Sequence, residues 1–189
     1  MTTKSIYLLG AAIVLIADQW TKLWATASLK PIGYMDVIDG FFRWNYATNR
    51  GFAFSMCANC PSASRWILCG VSLVAALFTL AYFRRAPASK PWLNASLALL
   101  MAGIVGNMID RIRLGEVVDF IEFHWEGLRL PVGWMQGWPI FNVADSAICV
   151  GALLLAREML REERAAREDS SSRIEVSAPE ETGVGSSES

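Results

Sequence analysis

Apolar residues gather in four long stretches separated by polar, glycine-containing segments, and each stretch approaches the roughly 20 residues an α-helix needs to cross a bilayer. The first covers residues 6–29, apolar through Ala17 and then interrupted by Asp18, Gln19 and Lys22. Residues 66–83 carry no charge, residues 92–109 contain Asn94 and Asn107, and residues 140–160 contain Asn142, Asp145, Arg157 and Glu158. The pattern predicts a mainly α, polytopic membrane protein, a four-transmembrane-helix bundle with both termini on one side. Between the first two spans, residues 30–65 hold Pro31, Gly33, Gly40 and Gly51 with aromatic runs at residues 41–46 and 52–54, which suit short strands at the membrane surface. Residues 110–139 read as irregular loop with one extended piece from Val117 to Trp125.

Basic residues set the orientation, because Lys and Arg are retained on the cytoplasmic side. Residues 1–5, 84–91 and 157–167 together carry 8 basic residues in 24, whereas residues 30–65 and 110–139 carry 7 in 66. The first set is therefore cytoplasmic, with both termini, and Trp20, Trp24, Trp44, Trp66, Trp134 and Trp138 fall near the opposite interface. The Ala25-Thr26-Ala27 run resembles a signal-peptide cleavage site, but three further spans favour an uncleaved first helix.

Composition agrees: 53% hydrophobic and 19% charged residues argue against an ordinary soluble domain. The net charge of −1 hides a split, since residues 1–160 hold 13 basic and 10 acidic residues and residues 161–189 hold 4 and 8. That last stretch, rich in Ser, Glu and Gly, reads as a disordered cytoplasmic tail, and neither part is basic enough for nucleic acid. Four cysteines are too few for a disulfide framework. Cys57-Ala58-Asn59-Cys60 is half of a zinc motif and better read as a disulfide or two free thiols, while Cys69 and Cys149 lie in spans and pack.

Ionisable groups within a bilayer cost about 2.5–3.5 kcal/mol each on insertion scales and default to functional candidates. A rise of about 1.5 Å per residue puts Asp18 roughly 18 Å above the inner end of its span. The same arithmetic carries Asn107 and Asp110 about 22–27 Å above Trp92, and leaves Asp145 about 7–8 Å below the outer surface. All converge on the outer leaflet. Asp18, Thr21 and Lys22, then Asn107, Asp110 and Arg111, then Asn142 and Asp145 each follow helical i, i+3 or i+4 spacing, so three helices present polar stripes at one height. Ala102 and Gly106 form a small-xxx-small pair for close helix approach. Asp18 with Lys22, and Asp110 with Arg111 or Arg113, equally fit structural ion pairs. Asp145 has no basic residue within one turn, and Asp119 is set in an apolar run that Gly115 could fold back toward the membrane.

A single histidine, His124, excludes a His-Glu-x-x-His zinc site, and no Gly-x-Ser-x-Gly elbow exists. Flanked by Phe123 and Trp125, His124 reads as an interface bystander. Carboxylate chemistry remains: two aspartates held close cannot both ionise, so one keeps a proton while the other activates water, without metal. An ion-relaying transporter or channel subunit and a structural adaptor stay open, but the acidic residues cluster at one face instead of stepping across the membrane.

At these residues the sequence resembles bacterial lipoprotein signal peptidase, the signal peptidase II family. Asp18-Gln19-Trp20-Thr21-Lys22 matches one motif and Asn49-Arg50-Gly51-Phe52-Ala53-Phe54-Ser55 resembles a second. The run from Gly106 to Arg111, followed by Gly115 and Val117-Val118-Asp119-Phe120, matches a third, and the run from Phe141 to Ser146 a fourth. The resemblance implies an aspartic endopeptidase of the bacterial inner membrane that cuts diacylglyceryl prolipoproteins just before the lipidated cysteine. Its site lies near the periplasmic face, beside a small extracytoplasmic β element and a mobile periplasmic helix or loop. It implies Asp119 and Asp145 as the catalytic pair, with Asn49, Gly51, Asn107, Arg111, Asn142 and Ala144 lining the site and Asp18, Lys22 and Asp110 supporting it. No cofactor or metal is implied; the partners are the prolipoprotein substrates and membrane lipids, and a monomer suffices. Phe52 stands where the family has a small residue, and the Cys57/Cys60 pair and the tail lie outside its pattern.

Overall fold

The computed structural model describes residues 3–51, 61–125 and 138–177. Helix α1 covers Thr3–Ser28, strands β1 and β2 cover Tyr34–Ile38 and Phe42–Asn49, and helices α2 and α3 cover Pro61–Arg85 and Pro91–Leu114. Strand β3 covers Val117–Phe123 and helix α4 covers Val143–Ser177. Three of the four helices, at Lys4–Ser28, Arg65–Arg85 and Pro91–Leu114, are long and apolar enough to cross a membrane. The expected fourth span does not reach that standard, because Asp145, Arg157 and Glu158 interrupt its apolar run. Phe52, Ala53, Phe54, Ser55, Cys57 and Cys60, and the second outer segment after Trp125, lie outside the described residues.

Residues 1–155 form one compact unit and residues 156–189 another. Within the first, α3 is the central helix: half of its apolar window is buried, against 11% for α1. The outward faces of α1 and α2 display Ile13, Ile16 and Trp20, and Ile67, Val74 and Phe78, all exposed, as expected of surface that meets lipid tails. Helices α3 and α4 meet through glycine. A Cβ at Gly103 would lie 2.6 Å from Ile148 Cγ1, and one at Gly106 would lie 3.2 Å from Ala144 Cβ and, on the α1 side, 2.6 Å from Asp18 Oδ2. The close approach thus runs along Gly103 and Gly106; Ala102 is buried beside them.

The strands form one antiparallel sheet in the order β1-β2-β3. Tyr34 pairs with Asn45 and Phe42 with Phe123, and a bulge between Trp44 and Ala47 shifts the register so that Ala47 faces Asp119. Val118 and Phe120 of β3 bury against Ala25 and Leu29 at the outer end of α1, with Trp24 and Trp44 edge-on to one another at 5.6 Å. Ala25 is fully buried there, so the end of α1 is part of the core. Gly115 makes this fold-back possible: at φ 82° it occupies the left-handed region and caps α3 through its N–H to Arg111 O.

Two boundaries move from expectation. Helix α3 continues through Asp110 and Arg111 to Leu114, because the αL cap is at Gly115. Helix α4 begins only at Val143, because Phe141 is bound to β3: its N–H donates to Ile121 O at 3.0 Å, and Phe141 O accepts from Ile121 N at 2.8 Å. In the second unit, residues 161–177 continue α4 where disorder was expected. Alanine, glutamate and arginine are strong helix formers, and Arg167 pairs with Glu163 one turn back.

Candidate active site

The C-terminal half of α1 brings Asp18 and Lys22 to the same level as Asn107 and Asp110 on α3. All are buried, and Lys22 Nζ contacts three acceptors: Asp18 Oδ2 at 3.0 Å, Asp110 Oδ2 at 2.9 Å and Asn107 Oδ1 at 2.9 Å. Asp110 thus pairs with Lys22; neither Arg111 nor Arg113 is its partner among the described residues. Backbone amides complete the carboxylates. Ala144 N donates to Asp18 Oδ1 at 2.8 Å, and Val118 N donates to Asp110 Oδ2 at 3.2 Å. One aspartate thereby ties down the start of α4 and the other the start of β3.

Those two anchors deliver Asp145 and Asp119. Asn142 caps α4: its Oδ1 accepts from Asp145 N at 2.9 Å while Asp145 Oδ2 accepts from Asn142 N at 3.2 Å, a reciprocal capping box. The i, i+3 spacing of Asn142 and Asp145 is thus a helix start and not a stripe along one face. Asn142 Nδ2 also donates to Asp119 Oδ1 at 2.7 Å and lies 3.1 Å from Asn107 Oδ1, and Asn107 Nδ2 donates to Asp145 Oδ1 at 2.7 Å. Asn142 therefore touches both carboxyl groups.

The two carboxyls differ in environment. Asp119 is only 4% exposed, on a strand, whereas Asp145 is half-buried at a helix N-terminus, where backbone N–H groups and the helix dipole favour negative charge. Burial, and then the negative charge of Asp145, push the Asp119 carboxyl up to about 7, against the opposing hydrogen bonds from Asn142 and Asn49. A carboxyl raised into this range can act as a general acid near neutrality.

Not every predicted residue meets the carboxyls directly. Asn49 reaches Asp119, and its Oδ1 accepts from Gly51 N at 2.8 Å, closing a turn that Gly51 completes at φ 78°. Ala144 is fully buried against Gly106 and acts through its backbone amide. Among the described residues Arg111 donates to Asn107 O, at 3.4 Å, and its buried Nε has no partner there. Thr21 turns its hydroxyl back to Ala17 O at 2.7 Å, within its own helix. Gln19 takes the role the spacing gave to Thr21: its Nε2 lies 3.2 Å from Asp18 Oδ2, Asp110 Oδ1 and Gly106 O. The i, i+3 relation of Gln19 to Lys22 was the available signal. His124 stands outside this network.

Comparison with known proteins follows the same residues. The model of the signal peptidase II family matches residues 10–161. A lipoprotein signal peptidase of Geobacter metallireducens is 39% identical over 87% of this chain and 96% of its own length. That of Geobacter sulfurreducens is 41% identical over 85% and 97%, and that of Pseudomonas putida 38% over 80% and 85%. A bacterial membrane enzyme solved by the in meso method at 1.9 Å superposes with a TM-score of 0.69 at 29% identity, covering 82% of this chain and 93% of that one.

Proposed function

The chain belongs to the signal peptidase II family, aspartic-type hydrolases of the inner membrane that remove signal peptides from prolipoproteins, and from this premise we propose how it cuts and where. The substrate is a diacylglyceryl-modified prolipoprotein, the cut falls just before the lipidated cysteine, and Asp119 and Asp145 are the catalytic pair. The observation that carries this reading is Asn142, hydrogen-bonded to both carboxyls, one on a buried strand and the other at a helix N-terminus.

In this reading Asp145 is the base and Asp119 the acid. Asp145 takes a proton from water as its oxygen bonds to the scissile carbonyl carbon, and Asp119 gives its proton to the carbonyl oxygen. Collapse of the tetrahedral intermediate breaks the C–N bond; the amine leaves with the proton held by Asp145, and Asp119 recovers its own. Arg111, whose Nε has no partner among the described residues, engages a substrate carbonyl or a headgroup-level phosphate. Helix α4 makes the fourth crossing, since Val150 and Leu153 present exposed apolar surface beyond Asp145. Both termini are then cytoplasmic, in keeping with the basic flanks, and the active site lies near the periplasmic face, where acyl chains stay in lipid while the scissile bond reaches headgroup level. The acidic residues meet at one end of the helices, which favours hydrolysis over an ion relay.

The test is cleavage of a diacylated lipobox peptide in detergent. Asp119→Asn and Asp145→Asn are each expected to abolish it with helix content retained, since asparagine keeps one accepting oxygen of each carboxyl; full activity of either variant overturns the reading.

A further inference from the structure

Lys22 is buried and forms three contacts, of which only two are with carboxylates. An ammonium has three N–H groups, and two would suffice to neutralise Asp18 and Asp110. The third reaches the neutral Oδ1 of Asn107 at 2.9 Å.

That bond has a consequence one residue further on. A carboxamide can be turned end for end with almost no change of shape, so its orientation is fixed by its neighbours. At Asn107 one end meets two donors, Lys22 Nζ at 2.9 Å and Asn142 Nδ2 at 3.1 Å, and the other end meets Asp145 Oδ1 at 2.7 Å. Turning it over would aim an N–H at the ammonium and an oxygen at the carboxylate, two repulsions at once.

We propose that Lys22 is a positioning residue for the reaction: by anchoring Asn107 Oδ1 it keeps the Asn107 amide donor on Asp145. The assignment rests on the reading of Asp119 and Asp145 as the catalytic pair. It separates two roles that one side chain combines, neutralising Asp18 and Asp110 and orienting Asn107, and these can be pulled apart. Lys22→Met alone strands two buried carboxylates and is expected to lose its fold. The triple variant Lys22→Met, Asp18→Asn, Asp110→Asn removes the charges together while keeping the acceptors for Ala144 N and Val118 N.

The triple variant is expected to fold, with its melting temperature within a few degrees of the parent chain, yet to lose roughly tenfold or more in kcat with KM within about twofold, as for loss of an outer hydrogen bond that orients a reacting group. Turnover equal to the parent's overturns the proposal and leaves Lys22 a charge-neutralising residue only. If the triple variant does not fold, Asn107→Asp takes its place: it keeps an acceptor for Lys22 and removes the donor to Asp145, so a folded protein with kcat down roughly tenfold or more is expected and unchanged kcat overturns the proposal. Activity in Asp119→Asn or Asp145→Asn would instead defeat the underlying reading, whatever the triple variant does.

Discussion

The two ends of α3 bury polar groups in opposite ways. At the N-terminal end Asn94 and Ser96 are fully buried, and their donors stay local: Asn94 Nδ2 reaches Pro87 O and Lys90 O at 2.8 Å, and Ser96 Oγ reaches Leu93 O at 2.8 Å. Lys4 likewise gives its charge to the last carbonyls of α2, Phe83 O and Arg84 O, beside the apolar cluster of Phe83, Ala86, Leu93 and Leu97. Donors there meet backbone carbonyls at the helix ends, and no carboxylate takes part. At the C-terminal end four aspartates, Asp18, Asp110, Asp119 and Asp145, gather; the buried Lys22 pairs with the first two, and neutral amides reach the other two. The N-terminal end uses polarity to close a hairpin between helices; the C-terminal end keeps carboxylate capacity beyond what the fold consumes, and that surplus is what chemistry can draw on.

The sharpest way to break the contrast is to strip the C-terminal end of a partner. Asp110→Leu leaves Lys22 with one carboxylate and Val118 N without an acceptor, so a loss of about 3–5 kcal/mol is expected, read as a fall in melting temperature together with loss of cleavage. A smaller effect is expected from pH. Asp119 is raised from about 3.8 in the unfolded chain to about 7 in the fold, so it favours the folded state most below its unfolded value and this contribution is lost as pH rises through about 7. Cleavage should therefore decline above about pH 7 as the acid is lost, and Asp119→Asn should melt higher than the parent at pH 8 with the difference vanishing near pH 4. Equal melting curves at both pH values would show that Asp119 does not titrate in this range.

At the N-terminal end of α3 Asn94→Ala should cost about 0.5–1.5 kcal/mol by removing the amide's two hydrogen bonds, since Lys90 N and Asn94 N still donate to Pro87 O and Lys90 O, and should not change kcat of the folded protein measured below its melting temperature. A large kcat effect there would erase the distinction between the two ends. The smallest effect is expected from truncation after Arg164, in the second unit, which should leave turnover in detergent within a fewfold; a large loss would give the helical extension a part in the reaction.

Much of the site was legible because a helix has a fixed rise. Counting residues was enough to bring Asp18, Asn107, Asp110 and Asp145 to one level, and the motifs around them named Asn49, Asn142 and Asp119 as their companions. Three features were not legible for one reason: each depends on which segment packs against which. Asp110 had two arginines close by in sequence, yet its partner is Lys22, 88 positions away. The expected start of the last span at Ile140 fails because Phe141 pairs with Ile121 of β3, leaving Asn142 to cap the helix. Gly103 gave no signal beyond its size, and only the neighbouring Ile148 shows why a side chain there has no room.

The chain's order of apolar and polar residues by itself determined how many long helices form and that carboxylates and amides gather at a common level, because these follow from local periodicity and the energetics of burial. Which donor meets which acceptor, which way the Asn107 amide points, and that burial raises Asp119 were decided only when a strand folded back over α1 and a helix began beside it, because hydrogen bonds reach about 3 Å and the residues that make them lie dozens of positions apart.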